Sequence, residues 1–299
     1  MTSVLYDAPG PKARRRSVIT SIVGGILIAV GLGWLIWTLA GERTTAAGAT
    51  LSGLFDPSRW EIFNDIAVWR TLGQGALNTL QMAGAAALIA LAIGILFSFG
   101  RTARSPWIRG PVAVVLEFLR GMPVLLMMLF ILLVFSTGTY WAGVVALGVY
   151  NGAIIGEALR AGIQSLPKGQ GEAGLSIGLT PVATRFLIEF PQAFRQMLPI
   201  IIAQLVVLLK DTSLAYIVGY TELLKSGERL TNFFGNRYSF SFFFIVLGMY
   251  LTMNLTLSWV ARMVARRTAS HGGTATKDPG AEITKLPDAG MGGTGGARL

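Results

Sequence analysis

The chain has 299 residues, a formal net charge of +10, 53% hydrophobic residues, only 13% charged ones and a mean hydropathy of +0.59. A soluble domain carries roughly 25% charged residues, so this composition excludes an ordinary water-soluble enzyme, and the absence of cysteine excludes a disulfide scaffold or thiolate metal centre. The single histidine, His271, cannot build a multi-ligand metal site, and no G-x-x-x-x-G-K-[ST] sequence occurs, so no catalytic residue, metal site or nucleotide site is assigned to the chain itself.

Residues 1–16 are basic through Lys12, Arg14, Arg15 and Arg16, and residues 17–40 carry no charge. That apolar stretch exceeds the roughly 7–15 residues of a cleaved signal peptide and reaches the ~20 needed to cross the hydrocarbon core, which predicts a retained transmembrane helix. Residues 41–70 are mixed, with Trp60, Phe63 and Trp69 suited to a membrane surface. The charge-free stretch 71–100 predicts a second span. The next, 121–156, is too long for one span, and its centre (Ser136-Thr137-Gly138-Thr139-Tyr140-Trp141) predicts a turn. It divides into a helix ending near Phe135 and another starting near Ala142. Spans at about 199–221, interrupted by Lys210-Asp211, and at 238–261 complete six helices. An all-α integral membrane fold results, because open backbone cannot satisfy its hydrogen bonds in lipid. The Gly-rich tail 268–299 predicts disorder.

Basic residues collect on the cytoplasmic side of a membrane. With the N-terminus inside, segments 1–16, 101–109, 160–198 and 262–267 hold 14 Lys and Arg, against 6 in the outside segments 41–70, 136–141 and 222–237. Both termini and the loop 165–199 are therefore expected in the cytoplasm. The basic surplus is read as orientation in a lipid bilayer, with no nucleic-acid partner.

Helix-end chemistry is legible in that loop. Ser165 can cap a helix with Pro167 in its first turn. Gly178 can end it in a left-handed conformation. Thr180 can cap a second helix with Pro181 at its first position, and Pro191 and Pro199 are expected to punctuate the chain beyond it. The overlapping Gly169-x-Gly171-x-x-Gly174 matches a dinucleotide fingerprint, but no strand precedes it and it is rejected as a nucleotide site.

The order Glu172-Ala173-Gly174, three residues, Gly178, nine residues, Ile188-Glu189-Phe190-Pro191 resembles the signature loop of bacterial ABC-transporter permeases: Glu-Ala-Ala, three residues, Gly, nine residues, Ile-x-Leu-Pro. Gly174 and Phe190 depart from the family's Ala and Leu, and Gly174 is expected to loosen the helix by about 0.5–1 kcal/mol. Leu116 to Pro123 (LEFLRGMP), Gly156 to Gly162 (GEALRAG), Leu166 to Gln170 (LPKGQ) and Lys210 to Leu214 (KDTSL) look like the polar amino acid branch of these permeases. The opening Ser3-Val4-Leu5-Tyr6-Asp7, with Pro9-Gly10-Pro11, resembles actinobacterial glutamate-uptake permeases.

The resemblance covers residues 70–265. It implies a five-helix importer core within 71–267, to which the helix 17–40 is an addition. It implies an ABC ATPase dimer that binds ATP and magnesium, an extracytoplasmic amino-acid-binding protein, and a second permease subunit, either homologous or another copy. The ATPase would be coupled through the α-helical turn Gly169, Glu172, Ala173, Gly174, Leu175, Ile177 and Gly178, with Ile188 and Pro191 behind it. The chain itself would hydrolyse nothing and need no cofactor of its own.

Ionisable groups inside a span are costly and usually functional. Lys210, eleven residues past Pro199, is expected about 16 Å along its helix, near the midplane, with Asp211, Thr212, Ser213 and Gln204 close in sequence. On the preceding span Asn151, Glu157 and Arg160 add polar groups. Two readings stand for these eight residues: a substrate path or gate, or ion-paired networks that lock helices, with Glu157 and Arg160 spaced to pair. Gly148, Gly152 and Gly156 form a small-residue ridge for an internal contact or a permease–permease seam. An ion-coupled secondary transporter of a polar solute is the alternative function; its frequent inverted repeat is not found in the sequence.

Overall fold

The computed structural model describes residues 10–44, 48 and 50–269. The glutamate-permease-like opening before Gly10 and the predicted disordered tail beyond Ala269 lie outside the described residues.

Helix α1 (Pro11–Ala40) is basic in its first turns, apolar on every side from Ser17 onward, and has no buried residue. It meets the rest of the chain at its end, where Leu54 N–H donates to Leu39 O at 2.8 Å. A two-residue antiparallel ribbon, β1 (Arg43–Thr44) with β2 (Thr50–Leu51), and short 3₁₀ turns lead to α2 (Ile66–Arg101). Asp65 caps α2, its carboxylate accepting from Ala67 N–H at 2.8 Å. The aromatic residues expected at a membrane surface cluster: Phe63 packs against Trp60, Trp69 and Phe242.

Two helices stand where one short span was expected. Helix α3 (Pro106–Gly121) and α4 (Val124–Phe135) meet at 103°. Pro123 has no N–H to continue a helix and forces the preceding Met122 into extended backbone (φ −83°, ψ 127°). The 12 residues of α4 reach only about 18 Å, short of the ~30 Å hydrocarbon core, so the expected straight span ending near Phe135 is replaced by a bent pair of helices. A turn comes next, through Ser136 (φ 50°) and Gly138 (φ 78°), as the polar centre predicts, and α5 (Thr139–Ser165) begins three residues before Ala142.

Beyond it come α6 (Lys168–Ser176), α7 (Pro181–Thr184), a π turn at Arg185–Glu189, and α8 (Phe190–Asp211) ending in a 3₁₀ turn. The prolines do not break this run. The π turn carries the backbone up to Pro191, with Phe190 N–H reaching back to Arg185 O, and Pro199 lies inside α8. Lys210 therefore sits in the last turn of α8. Helices α9 (Leu223–Phe234) and α10 (Ser239–Ala269) complete the order.

Among the described residues, five helical runs are long and apolar enough to cross a membrane, or six if the bent α3–α4 pair is one span. The core centres on α2 and α5. A Cβ at Gly148, Gly152 or Gly156 would lie 2.6–2.9 Å from Ile89, Ile93 or Phe97 of α2, and one at Gly94 would lie 2.7 Å from Ile155. The glycine ridge is therefore an internal seam. Met128, Leu147, Leu159 and Leu208 fill the space around it. A smaller cluster of Leu72, Leu223, Phe242 and Val246 joins α2, α9 and α10.

Candidate functional site

The hairpin after α5 folds through the helix-end chemistry of its sequence, with one exception. Ser165 does not open α6. Its hydroxyl donates to Gly162 O at 2.8 Å and so closes α5, while Pro167 holds the cap position of α6 without a side-chain bond. The end of α6 is a Schellman motif: Gly178 is left-handed (φ 84°), Gly178 N–H donates to Leu175 O at 3.0 Å, and Leu179 N–H donates to Gly174 O at 3.2 Å. Thr180 Oγ1 then accepts from Ala183 N–H at 3.2 Å to start α7.

Gly174 has a different role from the expected one. It is buried inside the hairpin, where a Cβ would lie 2.5 Å from Thr184 Cγ2 and 2.9 Å from Ile188 Cδ1. A glycine here is what lets α6 lie on the turn after α7, and Ile188 is half-buried in that contact. A Cβ at Gly169 would meet nothing within 4 Å. Glu172, Ala173 and Pro191 are exposed, as are Leu175 (44%), Ile177 (75%) and Val182 (78%). The hairpin thus fixes itself with small residues and turns an apolar edge outward. Val182 belongs to that edge and has no motif to announce it.

Arg185 is also silent in the sequence. Its guanidinium donates to Thr102 O, just past α2, and lies 3.5 Å from Glu189. Gln192 Nε2 donates to Gln170 Oε1 at 3.1 Å, tying α8 to α6. These long-range partners (Arg185 with Thr102, Gln192 with Gln170) arise from the fold and from no local pattern.

The eight polar residues of the spans divide into groups. Asn151 is fully buried; its Nδ2 donates to Leu147 O at 2.8 Å and its Oδ1 accepts from Gln204 Nε2 at 2.7 Å, bridging α5 and α8. Glu157 binds Arg160, which also donates to Gln164 Oε1 at 2.7 Å, and Arg101 Nε lies 3.7 Å from Glu157. Thr212 donates to Leu209 O at 2.7 Å within its own helix end. Lys210 is exposed and Asp211 half-buried, and neither forms a salt bridge within 4.0 Å among the described residues. Lys210 and Ser213 line a ≈370 Å³ groove with Tyr250 and Asn254 of α10. The structure therefore joins Asn151 to Gln204 and Glu157 to Arg160, and gathers no single site from all eight.

At the opposite end of the bundle, Glu222 is fully buried and caps α9. Its carboxylate accepts from Leu224 and Lys225 N–H, both at 2.8 Å, and from the Tyr250 hydroxyl. Burial pushes this carboxyl above the ordinary glutamate range, against the opposing pull of those donors. By sequence Glu222 counts only as a charge in a loop; a carboxylate directly before the Leu223-Leu224 pair is the available cap signal.

Comparison with known proteins bears on this arrangement. Residues 90–270 match the family described as binding-protein-dependent transport system inner membrane component. The glutamate transport system permease protein GluD of Corynebacterium glutamicum is 34% identical over 80% of this chain and 90% of its own. The probable glutamine ABC transporter permease protein GlnP of Bacillus subtilis is 33% identical over 66% of this chain and 93% of its own. Among solved structures, an amino acid ABC transporter crystallised with histidines superposes with a TM-score of 0.61 at 26% identity, covering 68% of this chain and 96% of that one.

Proposed function

The chain belongs to the family of binding-protein-dependent transport system inner membrane components, and on that premise we propose that it carries glutamate or a closely related polar amino acid inward across the cell membrane. The names of its relatives support the substrate class. Both termini and the α6–α7 hairpin face the cytoplasm in this reading, in accord with the distribution of Lys and Arg. The partners are an ATPase dimer that holds ATP and magnesium, an external amino-acid-binding protein, and a second permease subunit.

The observation that carries the reading is the exposed apolar edge of Leu175, Ile177 and Val182 on a hairpin braced from behind by Gly174 and Gly178. Such an edge at an aqueous face needs a protein to cover it. The hairpin also has a mechanical continuation. From Pro181 to Tyr216 the chain is one uninterrupted helical run of 36 residues, about 54 Å long at 1.5 Å per residue. The Asn151–Gln204 bond and the α5 packing couple that rod to the central seam. A displacement of the hairpin by the ATPase is thereby delivered to Lys210 and Asp211 at the far end, where the rod meets α9 and α10. The chain supplies the path and the lever, while the partner breaks the phosphoanhydride bond.

The test is uptake of labelled glutamate by proteoliposomes containing this chain, its ATPase and its binding protein. Uptake is expected to stop with a hydrolysis-dead ATPase and to persist when the proton gradient is collapsed at constant ATP. The reverse pair of results would establish an ion-coupled carrier instead.

A further inference from the structure

Where the ends of α2 and α5 and the start of α6 meet the start of α3, five cations surround one cavity of ≈510 Å³: Arg101, Arg109, Arg160, Lys168 and Arg185. Two carboxylates answer them. Glu157 pairs with Arg160 and lies 3.7 Å from Arg101; Glu189 lies 3.5 Å from Arg185. Five cations against two carboxylates leave a surplus of three. Arg109 and Lys168 are exposed and form no salt bridge among the described residues, whereas Arg101 and Arg185 turn their Nε atoms to Glu157 and Glu189. The first residues of α6 also line the cavity, and no side chain caps that helix, so its positive dipole end adds to the field. Guanidinium groups match the oxygens of phosphate in forked geometry, and the charge left unbalanced at Arg109 and Lys168 calls for an anion of that kind.

The cavity's surroundings identify the source. Helix α3 starts beside it with Trp107 (87% exposed) and Ile108 exposed, next to the cation Arg109. Exposed tryptophan next to basic residues marks the level of lipid headgroups, and basic pockets between membrane helices on the cytoplasmic side take acidic lipids. We propose that this cavity binds the phosphate headgroup of an anionic phospholipid of the inner leaflet, with its acyl chains along the exposed apolar face of α3. Bound there, the lipid ties the start of α6 and the Arg185 turn to the α2–α3 corner and restrains the hairpin. The proposal rests on the cytoplasmic placement of the hairpin given under the proposed function.

The test uses the full chain in detergent and native mass spectrometry, with phosphatidylglycerol, phosphatidylcholine and inorganic phosphate as separate probes. One phosphatidylglycerol is expected to be retained at least tenfold more tightly than phosphatidylcholine. Combining Arg109→Gln with Lys168→Gln, both exposed and outside any salt bridge, should remove that preference, whereas Arg14→Gln with Arg195→Gln, an equal charge change elsewhere, should keep it. Retention by the first variant overturns the proposal. So does inorganic phosphate that displaces phosphatidylglycerol at equal concentration, which would make the cavity a free-anion site. Topology is checked separately: the chain has no cysteine, so Ile177→Cys reports its face to an impermeant maleimide. Labelling from outside sinks the importer topology; labelling from inside without a phosphatidylglycerol preference sinks the lipid site alone.

Discussion

Small residues serve two regions of this molecule in different ways. Along the α2–α5 seam, Gly148, Gly152 and Gly156 bring two membrane helices into contact, and the side chains they admit (Ile89, Ile93 and Phe97) are half-buried between those helices, Ile89 against the central core. In the hairpin, Gly174 admits Thr184 and Ile188 in the same manner, yet the large apolar side chains beside it, Leu175 and Ile177, point away and stay uncovered. The seam is closed on itself. The hairpin is closed on one side and open on the other, which is the arrangement the proposed function requires of a part that is held by its own chain and free to dock.

Two variants separate these roles. Leu175→Asp with Ile177→Asp leaves Gly174, Thr184 and Ile188 unchanged and places charge on the hairpin's open edge. Because anchors in a protein interface are each worth about 2 kcal/mol or more, transport in the proteoliposome assay should fall at least tenfold, with the amount of membrane-inserted chain unchanged. A matching loss of inserted chain would show that the edge is internal core. Gly152→Leu does the opposite. It drives a side chain into Ile93, and overpacking of this kind costs about 1–3 kcal/mol, enough to lower abundance several-fold. Pairing it with Ile93→Ala should recover little, because Ile93 Cβ at 2.9 Å and Ala90 O at 3.1 Å still meet the new side chain, and full recovery would mean that the helices do not meet as described.

The same comparison explains how much can be read from sequence. The spans announce themselves by absence of charge, and the caps at Gly178 and Thr180 by residues whose local chemistry acts within four positions. The break at Met122-Pro123 is present as a proline but hidden by an unbroken apolar run, since hydropathy averages over the very bond that bends. Pro199 misleads in the other direction: a residue without an N–H is expected to end the helix, and α8 runs through it. Arg185 to Thr102 spans 83 residues and Asn151 to Gln204 spans 53; partners at such separations are chosen by packing, which no spacing rule contains. Gly174 is legible as a family departure but reads as a loosened helix, because the Thr184 methyl that requires it lies on another helix.

Gly174 also gives the finest test of the contrast between seam and hairpin. Gly174→Ala gains about 0.5–1 kcal/mol in helix propensity. Against this, the new Cβ would lie 2.5 Å from Thr184 Cγ2 and 2.9 Å from Ile188 Cδ1, and relieving such contacts costs about 1–3 kcal/mol in a packed site. The clash outweighs the propensity gain, so the family's usual alanine should be mildly harmful here, with transport falling about two- to fivefold and the hairpin cleaved faster by limited proteolysis. Thr184→Ser removes the obstructing methyl and keeps the hydroxyl. In that background Gly174→Ala should cost less than in the original chain, because the shortest contact is gone while the residue-184 hydroxyl oxygen and Ile188 Cδ1, each 2.9 Å from the new Cβ, remain. A double-mutant cycle in which the two changes simply add would mean that Gly174 and Thr184 do not touch, and that the hairpin is braced in some other way.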